Sequence, residues 1–244
     1  MYPLTQPSDL LTIASVVVLA GLLHANFQLA VSVLTRLGAH VLGRNDIRRQ
    51  HQRHLAKAAA AYAWGNFLMI GLLAAGVTYV LSALVTVPQK PLWVMLSLLG
   101  GLTGLAVLLI YRRDGGRRLW IPEALKNYLY ERTKRSTTAA ESLALGMVTG
   151  LAELPFIAAP LLFVAALLRG APDLNRLAIL LLYAAIASAP LFLLAAAMGA
   201  GQQISRLERW RESNRRFLQL SSALGLAVLS VYVLSLFGAG SSPW

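Results

Sequence analysis

Long apolar runs separated by short polar, mostly basic stretches set the pattern of this 244-residue chain. Six runs stand out, near 9–35, 57–84, 91–111, 138–168, 174–201 and 217–237. Each has the length, about 20 residues, that an α-helix needs to cross a hydrocarbon core ~30 Å thick. Inside that core no water serves the backbone, so each span must satisfy its own N–H and C=O groups, as a helix does. The pattern predicts an all-α integral membrane protein, one polytopic domain over 1–244 with six transmembrane helices. The first run is longer than a signal-peptide core and contains His24, Asn26 and Gln28, so it reads as a retained span. The longest polar stretch, 112–136, leaves no room for a sizeable extramembrane domain.

Charge adds an orientation. Of the 22 Lys and Arg residues, nineteen lie in the first, third and fifth connections, three in the second and fourth, and none at either terminus. Retention of basic loops on the inner side puts those three connections in the cytoplasm and both termini outside, across a bacterial-type inner (plasma) membrane. The net charge of +12 is then a property of inner loops facing anionic lipid, and the expected partner is the bilayer rather than a nucleic acid. The oligomeric state is left open. The third connection, with IPEALKNYLYERTKR, and the fifth, with ISRLERWRESNRRF, mix apolar and basic residues at helical spacing, as helices lying along an interface do. Trp210 in the fifth is the expected interfacial anchor. The chain has no cysteine, which excludes thiol redox chemistry, thiol-attached haem and cysteine metal sites. No cofactor is expected.

The runs also fall into two related sets of three. Gly21-Leu22-Leu23-His24-Ala25-Asn26-Phe27 aligns with Gly150-Leu151-Ala152-Glu153-Leu154-Pro155-Phe156. Gly104-Leu105-Ala106-Val107-Leu108 before Tyr111 aligns with Gly225-Leu226-Ala227-Val228-Leu229 before Tyr232, and Tyr62 aligns with Tyr183. Three spans per half make the second half enter the membrane inverted, so the expected architecture is two inverted three-helix repeats, about 9–111 and 138–237, joined by a cytoplasmic linker at 112–137. Folds of this kind hold their sites near the midplane, between the repeats.

His24 and Glu153 are the chemistry that stands out against this background. Each sits inside a long apolar run, where a charge costs about 2.5–3.5 kcal/mol even on lenient insertion scales and so usually serves a function. Pro155 and Pro160 follow Glu153; each lacks a backbone donor and crowds the preceding turn, which predicts a helix break at AELPFIAAP. Pro190 predicts a kink in the fifth run. Asn26, Gln28 and Thr149 are close enough in sequence to add ligands to the site. Asn66, Tyr183 and Ser188 suit either the lining of a path or hydrogen bonds between helices. Gly146-Met147-Val148-Thr149-Gly150 and Gly100-Gly101-Leu102-Thr103-Gly104 read as close-packing motifs. His40, His51 and His54 lie in or beside the first basic loop, but two histidines spaced as HQRH with no third ligand make a solvated loop and not a metal site. No catalytic motif is present and no enzyme is expected; an intramembrane enzyme with His24 as base and Glu153 as its orienting partner would need a nucleophile or metal that the sequence does not identify.

Residues 153–162, ELPFIAAPLL, resemble the fourth-span motif of the CcdA family, close to ELPCTGGPYL. That family comprises small relatives of the DsbD membrane domain and belongs with the lysine-exporter (LysE) superfamily. The resemblance implies six spans in two inverted triplets. In the family each half carries one cysteine in its first span, and the pair passes electrons across the membrane. Here Phe156 and Phe27 stand at those two positions, and Ala158 and Ala159 replace the glycines. The resemblance therefore implies a fold relative without the redox chemistry.

Two functions follow as expectations. The first is a secondary transporter or exporter of a small solute or cation, coupled to protons, with a midplane site of His24, Glu153, Asn26, Gln28 and Thr149. The second is a non-catalytic scaffold or partner subunit derived from the thiol-redox fold. The first predicts a polar, water-accessible cavity at the pair; the second predicts a closed and fully hydrogen-bonded contact.

Overall fold

The computed structural model describes residues 7–26, 29–42, 48–84, 88–113, 123–136, 138–169, 173–200, 209–210 and 213–238. Among them the chain is helical and contains no strand. The helices are α1 (Pro7–Asn26), α2 (Leu29–Leu42), α3 (Arg48–Leu84), α4 (Gln89–Arg113), α5 (Glu123–Arg135), α6 (Ala139–Ala152), α7 (Leu154–Leu167), α8 (Asp173–Gly199) and α9 (Arg215–Val233). A π-helical turn, Leu234–Gly238, continues α9.

Four stretches are long and apolar enough to cross a membrane unaided: Arg53–Ala83, Lys90–Leu109, Asn175–Gly199 and Leu220–Phe237. Two bent pairs supply the remaining apolar helix, α1 with α2 at 49° and α6 with α7 at 75°. Among the described residues the protein is thus helical, with four helices long and apolar enough to cross a membrane, or up to six when each bent pair counts as one, as suits a membrane-embedded chain. Its outward faces suit lipid, with Leu102 at 63%, Leu193 at 72% and Val231 at 67% exposure.

Local chemistry explains where several elements begin and turn. α3 starts at Arg48, ahead of the apolar run, because Arg, Gln, Lys and Ala are strong helix formers. Its first described turns are amphipathic, with Leu55, Ala58 and Ala59 buried and Arg53, His54 and Lys57 exposed. A reciprocal cap opens α6. The Glu141 amide donates to Thr138 Oγ1 at 3.2 Å, and the Thr138 amide donates to Glu141 Oε2 at 3.0 Å. The bend between α6 and α7 falls at Glu153 itself, which ends one helix and begins the other. Pro155 lies in the first turn of α7, where a missing N–H leaves no bond unmade. Pro160 and Pro190, by contrast, lie inside α7 and α8, and both helices continue past them.

Close backbone contact holds α3 against α6. A Cβ on Gly65 would overlap the Leu143 carbonyl, and one on Gly146 would overlap the Tyr62 carbonyl. The glycine pair at 146 and 150 is therefore a packing surface for α3. On its other side α3 packs against α8; α1 packs against α8 and α7, and α4 against α9. One core gathers Val16, Val17, Phe163, Tyr183 and Leu226; a second gathers Ala30, Leu34, Tyr62, Leu145 and Leu191. An apolar groove of about 310 Å³ runs along α3 and α7, bordered by Leu72, Gly76, Val80 and Leu162, and none of the candidate site residues lines it.

Candidate functional site at the two helix breaks

His24 sits in the last turn of α1, and Glu153 at the turn between α6 and α7. The packing of α1 on α7 brings the two side chains together, each with 1% of its surface exposed. His24 Nε2 lies 3.8 Å from Glu153 Oε2. That distance makes an electrostatic contact and not a hydrogen bond, and Nε2 has no hydrogen-bond partner. The other ring nitrogen, Nδ1, shares a hydrogen bond of 2.8 Å with the Tyr183 hydroxyl on α8. The two rings are tilted at 54° with centroids 5.6 Å apart.

Glu153 is held on its other side by α2. The Ala30 amide, at the start of α2, donates to Glu153 Oε1 at 2.7 Å. The first amides of a helix have no partner in their own helix, and the end of the helix favours negative charge. A carboxylate from α6–α7 thus serves as the cap of α2, across 123 residues of sequence. The carbonyl of the same residue, Ala30, accepts a 3.0 Å hydrogen bond from the Tyr62 hydroxyl on α3. The backbone of Glu153 adds rigidity: its amide donates to Thr149 O at 3.1 Å, and its carbonyl accepts from the Phe156 amide at 2.8 Å and the Ile157 amide at 3.2 Å.

The other expected site residues fall in different places. The Thr149 hydroxyl is buried but donates within its own helix, to Leu145 O at 2.7 Å. Asn26 is exposed at the end of α1. Gln28 and Phe27 lie outside the described residues. Phe156 is half-buried one turn beyond Glu153 in α7. Asn66 is buried one turn after Tyr62, with Nδ2 unpartnered and aimed at Gly150; Ser188 is buried with an unpartnered hydroxyl. Among the described residues no group of three or more His, Asp or Glu side chains is arranged to hold a metal. His54 is exposed, while the side chains of His40 and His51 lie outside the described ones.

Sequence reasoning missed Ala30 and Tyr62 as parts of this site and left Tyr183 undecided. The signal for the tyrosines was available in their alignment with each other. His24, in the first half, bonds to Tyr183 in the second; Glu153, in the second half, holds the Ala30 peptide that Tyr62 of the first half also holds. Chemically the arrangement is a desolvated acid facing an imidazole nitrogen with a vacant bonding position, braced by two hydroxyls. No family model, no curated protein and no solved structure matches this chain.

Proposed function

We propose that this chain is a six-span inner-membrane protein of two inverted triplets, with both termini outside, that transports or exports a small solute or cation with proton coupling. The observation that carries this reading is the His24–Glu153 pair, buried where the bent helices of the two halves meet, with His24 Nε2 unpartnered. Ionisable groups are kept in such surroundings at a cost, and a vacant bonding position on one of them is a place for cargo. Support for the inverted repeats comes from packing that survives exchange of the halves: α1 lies on α8 as α6 lies on α3, and α4 pairs with α9. The CcdA-like and LysE-superfamily kinship, without the cysteines, is part of the same proposal and rests on residues 153–162.

The test is flux into proteoliposomes holding a trapped pH-sensitive dye, under an imposed pH gradient, with panels of small cations and of charged and neutral solutes. The expected result is a solute-dependent proton flux that Glu153→Gln abolishes. Flux undiminished in both Glu153→Gln and His24→Ala overturns the proposal, as does no flux with any solute of the panel.

A second reading, the scaffold or partner subunit, is favoured by one observation: the pair is closed off, at 1% exposure for both side chains. On that reading Glu153 fastens α2 to α6 and α7, and the flux assay stays silent.

A further inference from the structure

The vacancy at His24 Nε2 says more about the cargo of this site. A hard metal cation asks for about six or more oxygen ligands. Among the described residues no group of three or more His, Asp or Glu side chains is arranged to hold a metal, and Oε1 of Glu153 already accepts from the Ala30 amide. What remains is Oε2 facing Nε2 across 3.8 Å. In the tautomer that donates Nδ1–H to the Tyr183 oxygen, Nε2 and the carboxylate oxygen both accept, and nothing draws them closer. One proton between them changes that.

We propose that the ion bound here is a proton, taken up on Glu153 Oε2 and shared with His24 Nε2, and that its arrival loosens the cap on α2. With Nδ1–H donated to the Tyr183 oxygen, Nε2 carries the lone pair. A hydronium ion gives its proton to Oε2: one O–H bond breaks, another forms, water leaves, and no electrons change owner. The carboxylic acid then donates to Nε2, and the pair carries no charge into the apolar interior. A hydrogen bond of this kind closes the gap to about 2.8 Å. Tyr183 fixes the imidazole, so the carboxyl group makes the approach, at the expense of its 2.7 Å bond to the Ala30 amide. The start of α2, still held through its carbonyl by Tyr62, becomes the moving part.

Glu153 is faced by His24 from α1, Tyr62 from α3 and Tyr183 from α8, with the Ala30 amide from α2. Other charged or titratable groups on the packed elements include Arg36 on α2, Arg53, His54 and Lys57 on α3, Glu141 on α6 and Asp173 and Arg176 on α8. The proton site rests on the transport reading for its use in a cycle, while proton binding itself is measurable without transport.

The experiment uses the full chain in nanodiscs. Infrared difference spectra between alkaline and acidic buffer are recorded at varied sodium and potassium, with amide hydrogen exchange of peptides covering residues 29–34. Acidification is expected to produce a protonated-carboxyl band that sodium leaves unchanged and Glu153→Gln removes. In His24→Asn the band persists at a shifted frequency. Exchange at Ala30, corrected for the intrinsic pH effect, is expected to rise roughly tenfold as the charged acceptor is lost. No acid-dependent band in the wild type, a band that sodium suppresses, or an Ala30 amide indifferent to the band overturns the proposal. A band without any flux removes the transport reading alone; flux that needs Glu153 without a band removes the proton site alone.

Discussion

Truncating Glu153 removes a group that ties the α1 and α2 side of the site to the α6–α7 turn. In Glu153→Ala the Ala30 amide loses its 2.7 Å acceptor and His24 loses the charge facing Nε2, both in an interior where water cannot replace them. A hydrogen bond to a charged group contributes about 1.5–3 kcal/mol. Breaking a buried pair by removing one member costs about 3–5 kcal/mol. Because the pair is 3.8 Å apart and not hydrogen-bonded, the lower ends apply, and the expected loss for Glu153→Ala is about 3 kcal/mol. Glu153→Gln keeps an oxygen for the Ala30 amide and forfeits only the charge, so its expected loss is about 1 kcal/mol. Reversible denaturant unfolding in mixed micelles, followed by tryptophan fluorescence, measures both. Equal losses within about 0.5 kcal/mol, the scatter of independent sites, would refute the idea that Glu153 caps α2. So would a His24→Ala, Glu153→Ala cycle with no coupling.

Other expectations follow from single contacts. Tyr62→Phe removes the hydroxyl that holds the Ala30 carbonyl and should cost about 1 kcal/mol in the same unfolding assay, with exchange at the start of α2 rising in step. Gly146→Ala pushes a methyl into the Tyr62 carbonyl and should cost about 1–3 kcal/mol. Gly76→Ala, where nothing lies within 4 Å, should be neutral or stabilising by up to about 1 kcal/mol, so equal effects at the two glycines would contradict the packing assigned to α3 and α6. Thr138→Ala opens the reciprocal cap and should cost about 0.5–2 kcal/mol, read as fraying of α6 by hydrogen exchange at residues 139–142.

The helical character and most element positions were legible from hydropathy alone, because a bilayer penalises every unsatisfied peptide group and leaves few alternatives. The long run at 57–84 became α3, and the run at 91–111 became α4. The bend between α1 and α2 was not legible. No proline marks it, and the amide that starts α2 is satisfied by a carboxylate from the other half of the chain. Proline positions were informative only in part: the turn sits at Glu153, where Pro155 costs nothing, while Pro160 and Pro190 are absorbed within continuing helices. Thr149 and Asn26 looked like ligands because they were near in sequence. Thr149 is buried, donating to its own helix backbone and meeting the Tyr62 side chain, while Asn26 is exposed.

The sequence by itself determined the solvent this protein lives in, the helices that solvent demands, and the two residues most costly to place there. These follow from local composition, since burying an ionisable group in apolar surroundings is expensive wherever the chain goes. Which atoms relieve that cost was decided by tertiary structure. Tyr183 reaches His24 across 159 residues and Ala30 reaches Glu153 across 123, and no local pattern encodes contacts between helices that meet only when the two halves pack.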